Sequence, residues 1–485
     1  MPRFLLIVLH LILVVLLTSA CHREEPPPVT TPAVPPQPAP SRASSPQQGI
    51  APLASQTPSP EPPATAGSSA PLSPRQFLRE AMSAQLLELA TEALPTWRDG
   101  RDGKPTLLLL SNNPLLAPVP EAVRPEVATL LRQGTVTQIG GRSLPYRPDP
   151  LLLPAMSVDA ALRQGWFGRL AWAIPQSDPD QALSLEAFRK QLLNNGMAEQ
   201  REVDTLSLAN NVFTGTLRDT PLTAATLPNL PELTGPVVVH IDLSYFEPLY
   251  KNEVSTPLLP IVGNTLKSLQ GRNLEVLAVT ISQSNLDQAL ALDVRFLGEL
   301  VATLVKQPER LDQPLSVNWQ RKADTLYLEN FFQKEMIRDT LLAMEQELPR
   351  DASVKFALFR SAAAHKDGGK ALDYLAKAVA LDKVYALEYL SLAGMAYEKQ
   401  RPDEAMRMLT LASKAFPDHA HVKIQMAQLA QELGDTKTAR HLIEQLQQLP
   451  WSPIYYPETP DYLKGFVDFL KQPPQSKPMD EKPKQ

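Results

Sequence analysis

Cysteine, histidine and glycine are scarce in this chain of 485 residues, which holds one, seven and 20 of them. A single cysteine cannot close an internal disulfide, and two thiolate ligands for zinc are out of reach. So little glycine, with 43% hydrophobic residues, excludes a collagen-like or wholly disordered chain despite 49 prolines. A basic run is missing as well: 47 lysines and arginines stand against 52 acidic residues, a formal charge of -5 spread along the sequence. Nothing in that distribution could neutralise a row of phosphates, so nucleic acid is not an expected partner. Several catalytic signatures are absent too, with no Gly-x-Ser-x-Gly elbow, no Gly-x-x-x-x-Gly-Lys phosphate loop and no His-Glu-x-x-His zinc helix. At roughly 100–200 residues per domain, the length predicts two to three domains plus connecting segments.

What is present begins at the amino terminus. Met1-Pro2-Arg3 precedes the 14 residues Phe4–Leu17, apolar but for His10, and then Thr18, Ser19 and Ala20. A positive start, an apolar stretch and small residues predict a cleavable signal peptide over residues 1–20, because the stretch falls short of the ~20 residues that span a bilayer as a helix. Leu17-Thr18-Ser19-Ala20-Cys21 resembles a bacterial lipoprotein signal, in which a leucine and two small residues precede a cysteine that is diacylated. Here the leucine stands one position early, with Thr18 in its place. The resemblance implies cleavage after Ala20 and a lipid on Cys21, and several acyl chains at one terminus would hold a membrane far better than the marginal grip of one. His22 rather than aspartate follows the cysteine, which by the same resemblance implies the outer membrane of a bacterial envelope, facing the periplasm.

Residues 21–75 carry 16 of the prolines, between Pro26 and Pro74, and no aromatic residue. Such a composition cannot bury enough surface to offset chain entropy, so a disordered tether is expected, with an upper reach on the order of 150 Å. Residues 472–485 read as a second disordered segment, a tail.

The C-terminal part repeats. Ala371, Ala405 and Ala439 are 34 residues apart, and the same spacing relates Leu375, Leu409 and Ile443, then Ala378, Ala412 and Leu446. Earlier in each unit come Leu358, Leu392 and Met426, followed by Phe359, Ala393 and Ala427. Small residues where two helices cross, at a period of 34, are the pattern of a helix-turn-helix solenoid. These units, 352–385, 386–419 and 420–453, resemble tetratricopeptide repeats, most fully in the middle one through Tyr389, Leu392, Ala393, Ala405, Leu409, Ala412 and Pro417. Phe359 departs from the small residue of the pattern, and Lys383 and Trp451 from its closing proline. A capping helix over Tyr462–Leu470 completes a solenoid domain at 352–471, and the resemblance implies a surface that holds another protein.

Between these regions, residues 76–350 alternate short apolar runs with helical periods. Thr106–Leu110, Leu170–Ile174, Pro236–Leu243 and Leu274–Ser282 read as strands, and Leu258–Leu269 and Leu286–Val305 as helices. Near-continuous Val, Ile and Leu is expected of a parallel sheet covered on both faces, so the fold class is α/β in three layers, followed by the all-α solenoid.

One strand carries chemistry. His240 and Asp242 lie two apart and therefore on one face, as paired metal ligands or an acid/base pair would. The stretch from Val237 to Pro248 resembles the metal-binding strand of the arginase and deacetylase-like fold, with Asp242 and Pro248 matching and Ser244 and Glu247 replacing two aspartates. The segments Gly165–Pro175 and Val276–Ser282 are similar to others of that fold. The resemblance implies His240, Asp242 and Glu247 as ligands of a divalent metal. Against catalysis, the same resemblance places Ser111 and Asn113 where that fold has further ligands, and His240 is the only histidine of the region. Two readings result. The first is a lipid-tethered envelope scaffold that binds a protein through its repeats, with a degenerate α/β domain lacking a cofactor. The other is a metal-dependent hydrolase of amide, amidine or acylated substrates.

Overall fold

The structure, a computed structural model, describes residues 73–176, 182–251 and 257–471. The expected signal peptide, Cys21, nearly all of the proline-rich segment and the expected tail from 472 lie outside the described residues. No helix among the described residues is long and apolar enough to cross a membrane.

Among the described residues nine strands form one sheet: β1 (Arg75–Gln76), β2 (Ala84–Leu87), β3 (Thr106–Leu110), β4 (Arg169–Ile174), β5 (Ser207–Ala209), β6 (Val212–Leu217), β7 (Thr220–Thr226), β8 (Val237–Asp242) and β9 (Glu275–Ser282). The order is β1-β9-β8-β3-β4-β7-β6-β5, with β2 also paired to β9. Alternate side chains of the central strands enter two cores. Leu108, Leu110, Val239, Ile241 and Ile281 pack with the helices Leu258–Gly271 and Leu297–Lys306, while Leu107, Leu109, Trp172 and Val238 pack with Arg124–Gln133, Ser157–Arg163 and Leu185–Asn194. Burial on both faces explains why these strands carry so few polar residues.

The expectation of an all-parallel sheet is corrected. β2, β9, β8, β3, β4 and β7 run parallel, but β5 and β6 form an antiparallel ribbon on β7, and β1 runs antiparallel to β9. Two tight turns cause the ribbon. Asn210 and Asn211 have φ of 51° and 57°, and Arg218 and Asp219 have 51° and 59°, so both central residues of each two-residue turn are left-handed, as the twist of a hairpin favours. The expected helix Leu286–Val305 is likewise shorter, Leu297–Lys306. Upstream of it the Asn285 side chain donates to the carbonyls of Leu290 and Ala291 and closes a loop instead.

Beyond the sheet the chain is helical, starting with a hairpin of Val317–Glu329 and Lys334–Glu347. Three pairs follow, Ala352–Ala364 with Gly368–Leu381, Glu388–Glu398 with Pro402–Ala415, and Ala420–Glu432 with Thr436–Gln447, and then a last helix Thr459–Lys471. All nine residues that recur at 34 in the second helices, from Ala371 to Leu446, are buried. Asp367 and Asp435 cap second helices through Lys370 and Thr438 amides, and Pro402 opens the remaining one. The helical packing also extends upstream of residue 352: Ile337, Leu341 and Met344 share a core with Val354 and Leu358.

Candidate functional site

His240 and Asp242 come together at the carboxyl end of β8, beside β9, where open α/β sheets usually place function. Both are buried, His240 completely. Asp242 Oδ2 accepts from Ser282 Oγ at 2.7 Å and Ser284 Oγ at 2.6 Å, and Oδ1 accepts from the Ser244 amide at 2.9 Å. His240 Nδ1 lies 2.9 Å from Thr280 Oγ1, and Nε2 lies 3.3 Å from Ser282 Oγ. With the Ser282 hydroxyl proton on Asp242, a neutral ring protonated at Nε2 donates to Ser282 and accepts at Nδ1 from Thr280, whose hydroxyl also lies 3.4 Å from the Val239 carbonyl and accepts from Trp97 Nε1 at 3.1 Å. One closed chain therefore satisfies the whole group. The Trp97 ring covers the imidazole edge-on at 5.1 Å. Burial lowers the His240 pKa to about 4, with the Asp242 charge opposing, so the ring is neutral at pH 7.

This geometry does not suit a metal or a nucleophile. Both oxygens of Asp242 and both nitrogens of His240 already have partners, and among the described residues no group of three His, Cys, Asp or Glu could hold a metal ion. Glu247, the third residue of the expected set, opens the short helix Glu247–Lys251 and joins no such group. Ser111 and Asn113 shape a turn: Ser111 Oγ accepts the Asn113 amide and Asn113 Oδ1 the Leu115 amide. In a serine hydrolase the serine gives its proton to histidine, whereas Ser282 gives it to aspartate. Thr280, Ser282 and Ser284 were the residues that reading the strands separately did not connect to the pair. The signal of Thr280 and Ser282 was polarity at period two near the end of an apolar run, in register with His240 and Asp242, and Ser284 continues that period just beyond the strand.

The second candidate is the helical stack. The segment that follows each of the three pairs touches the α/β region. Tyr385 lies in a core shared with Leu89 and Leu286. One unit later His419 stacks on Tyr146 at 4.4 Å and 7°, and the Ala420 amide donates to the Tyr146 carbonyl at 3.1 Å. At the third junction the Ser452 amide donates to the Pro148 carbonyl at 2.8 Å, and Tyr455 Oη donates to the Leu151 carbonyl at 3.0 Å. Charge adds to this seam. Arg295, 7% exposed, bridges Glu88 at 2.6 Å and Asp382 at 2.7 Å, and Arg360 reaches Asp293. Such pairs fix orientation, since a slipped seam would leave buried charges uncompensated. One first helix keeps an open side: in Glu388–Glu398, Ser391, Gly394, Met395 and Glu398 form an exposed stripe at i, i+3, i+4 and i+7.

A family model describes these helices. Residues 396–449 match the tetratricopeptide repeat. The match runs from the end of one first helix through two further helices and into Thr436–Gln447 and its exit, so it covers the later part of the expected unit 386–419 and most of the unit 420–453. A comparison with curated proteins finds no match. Tetratricopeptide repeats generally mediate contacts between proteins, and the match suggests that kind of scaffold for the helical region.

Proposed function

We propose that the protein is an envelope lipoprotein, anchored through Cys21 and held off the outer membrane by its proline-rich segment, that presents the repeats to a protein partner in the periplasm. The observation that carries this reading is the tetratricopeptide match over residues 396–449, which adjoins the exposed stripe Ser391, Gly394, Met395 and Glu398 of the helix Glu388–Glu398. The sheet region acts as the body on which the stack is mounted, without catalysis; its resemblance to the arginase and deacetylase-like fold enters as ancestry and not as chemistry. His240 and Asp242 then serve to hold the ends of β8 and β9 together.

A photoreactive residue at position 395 tests the binding part. In intact cells it should give a discrete crosslinked product that a second substitution, Glu398→Lys, removes. Absence of a product from position 395 and from position 391 would overturn the reading. Labelled palmitate entering the wild type but not Cys21→Ser tests the anchor, and no incorporation would refute it.

A further inference from the structure

At the end of the sheet opposite His240 lies a cleft of about 1080 Å³, lined by the segments that lead into β3 and β4 and by the turn between β6 and β7. Five cations line it: Lys104, Arg124, Arg163, Arg201 and Arg218. Two are spent locally. Arg201 pairs with Glu199 at 2.9 Å, and Arg218 is held by Asp159, by Glu202 and by the Met197 carbonyl at 2.6, 2.6 and 3.0 Å.

The others are arranged differently. Asp159, fully buried, accepts from Arg163 Nε at 2.8 Å, from Arg218 Nε at 2.6 Å and from the Val119 amide at 3.0 Å. The carbonyl of that same Val119 accepts from Arg124 Nε at 3.1 Å. One carboxylate thus holds two guanidinium groups at Nε, and the Val119 backbone that it also binds holds a third. The Nη atoms of Arg163 make no hydrogen bond or ion pair among the described residues, nor does Lys104 Nζ. Arg124 Nη1 comes no closer than 3.9 Å to Glu121, a side chain 90% exposed. Guanidinium forks held at Nε with free Nη edges are pre-organised for bidentate recognition of an oxyanion, and the volume is that of a ligand pocket.

We propose that this cleft binds a carboxylate- or phosphate-bearing organic ligand, with Arg163 and Arg124 taking the oxyanion and Lys104 adding a point charge. Asp159 and Arg218 are positioning residues. The site is independent of the repeats and of the strand-end cluster.

The test is calorimetric titration of the full chain in detergent, with pyrophosphate and with citrate, at low ionic strength. Saturable binding is expected for one of them, which tells phosphate from carboxylate recognition. Arg163→Gln should weaken it about tenfold or more, the loss of a charge-assisted contact, and Arg163→Lys less. Lys104→Gln, which breaks no contact in the protein, should also weaken it, by a few-fold, and decides the matter if Arg163→Gln does not fold. No saturable heat with either anion, or equal affinity in Lys104→Gln and wild type, would overturn the proposal.

Discussion

Replacing Arg295 by leucine removes the cation that joins the end of the sheet to the repeats. The side chain is 7% exposed and holds Glu88, Asp382 and Asn285 Oδ1, the last at 2.8 Å. Breaking a buried pair costs about 3–5 kcal/mol when the orphaned charge stays buried. Here Glu88 and Asp382 are 32% and 28% exposed, so water recovers part of that loss and about 2–3 kcal/mol is expected. The loss should fall on the docking of the repeats. Hydrogen exchange measured by mass spectrometry separates the two regions: peptides over Val237–Asp242 report the sheet, and peptides over Gly368–Leu381 report the stack. In the wild type both should open in one global event. In the variant the repeat peptides should exchange roughly 30- to 150-fold faster, the same free energy expressed as a ratio, with the sheet less affected. Rates within about threefold of wild type in both regions would refute the claim that Arg295 secures the seam.

Three further outcomes are expected. Asp287 has a carboxyl oxygen buried without a partner, and burial, followed by the Asp242 charge, raises its pKa to about 7. A raised carboxyl binds more protons folded than unfolded, so its contribution is favourable at low pH and is lost as pH rises from about 4 through 7. Asp287→Asn should therefore stabilise the protein by about 1–3 kcal/mol at pH 8 and by little at pH 4.5, read from urea melts. His419 has the opposite sign: burial and then His421 lower its pKa to about 3, so stability falls as pH drops below 6.5. His419→Asn keeps a helix-capping side chain and should flatten the stability loss between pH 6.5 and 4 while costing about 1 kcal/mol for the lost stack on Tyr146 at pH 7; an unchanged acid slope would exclude His419 as its source. Asp242→Ala strands three donors and should destabilise by about 3 kcal/mol or more in a urea melt, whereas zinc or manganese should not shift the wild-type melting temperature; a metal-dependent rise abolished by the variant would revive the hydrolase reading.

The repeats were legible in the sequence because each helix meets its neighbours within about one period, so Ala371, Ala405 and Ala439 record the helix crossings directly. The central strands were legible for a similar reason, since Thr106–Leu110 is buried on both faces and its composition says so. The antiparallel ribbon was less so: Asn210-Asn211 is a turn signal, but Arg218-Asp219 is not a usual one. His240 and Asp242 were found as a pair, yet whether they meet a metal or hydroxyls depended on Thr280, Ser282 and Ser284, about 40 residues away in sequence and one strand away in space. Arg295 and Glu88 are 207 residues apart, and Arg218 and Asp159 are 59 apart. Periodicity records which side of an element is buried; it holds no record of which distant charge arrives at that side. For this protein the sequence by itself determined the period of the stack and the apolar strands, and only the tertiary structure decided what the polar residues do, because their partners are chosen by strand order and by docking across the seam.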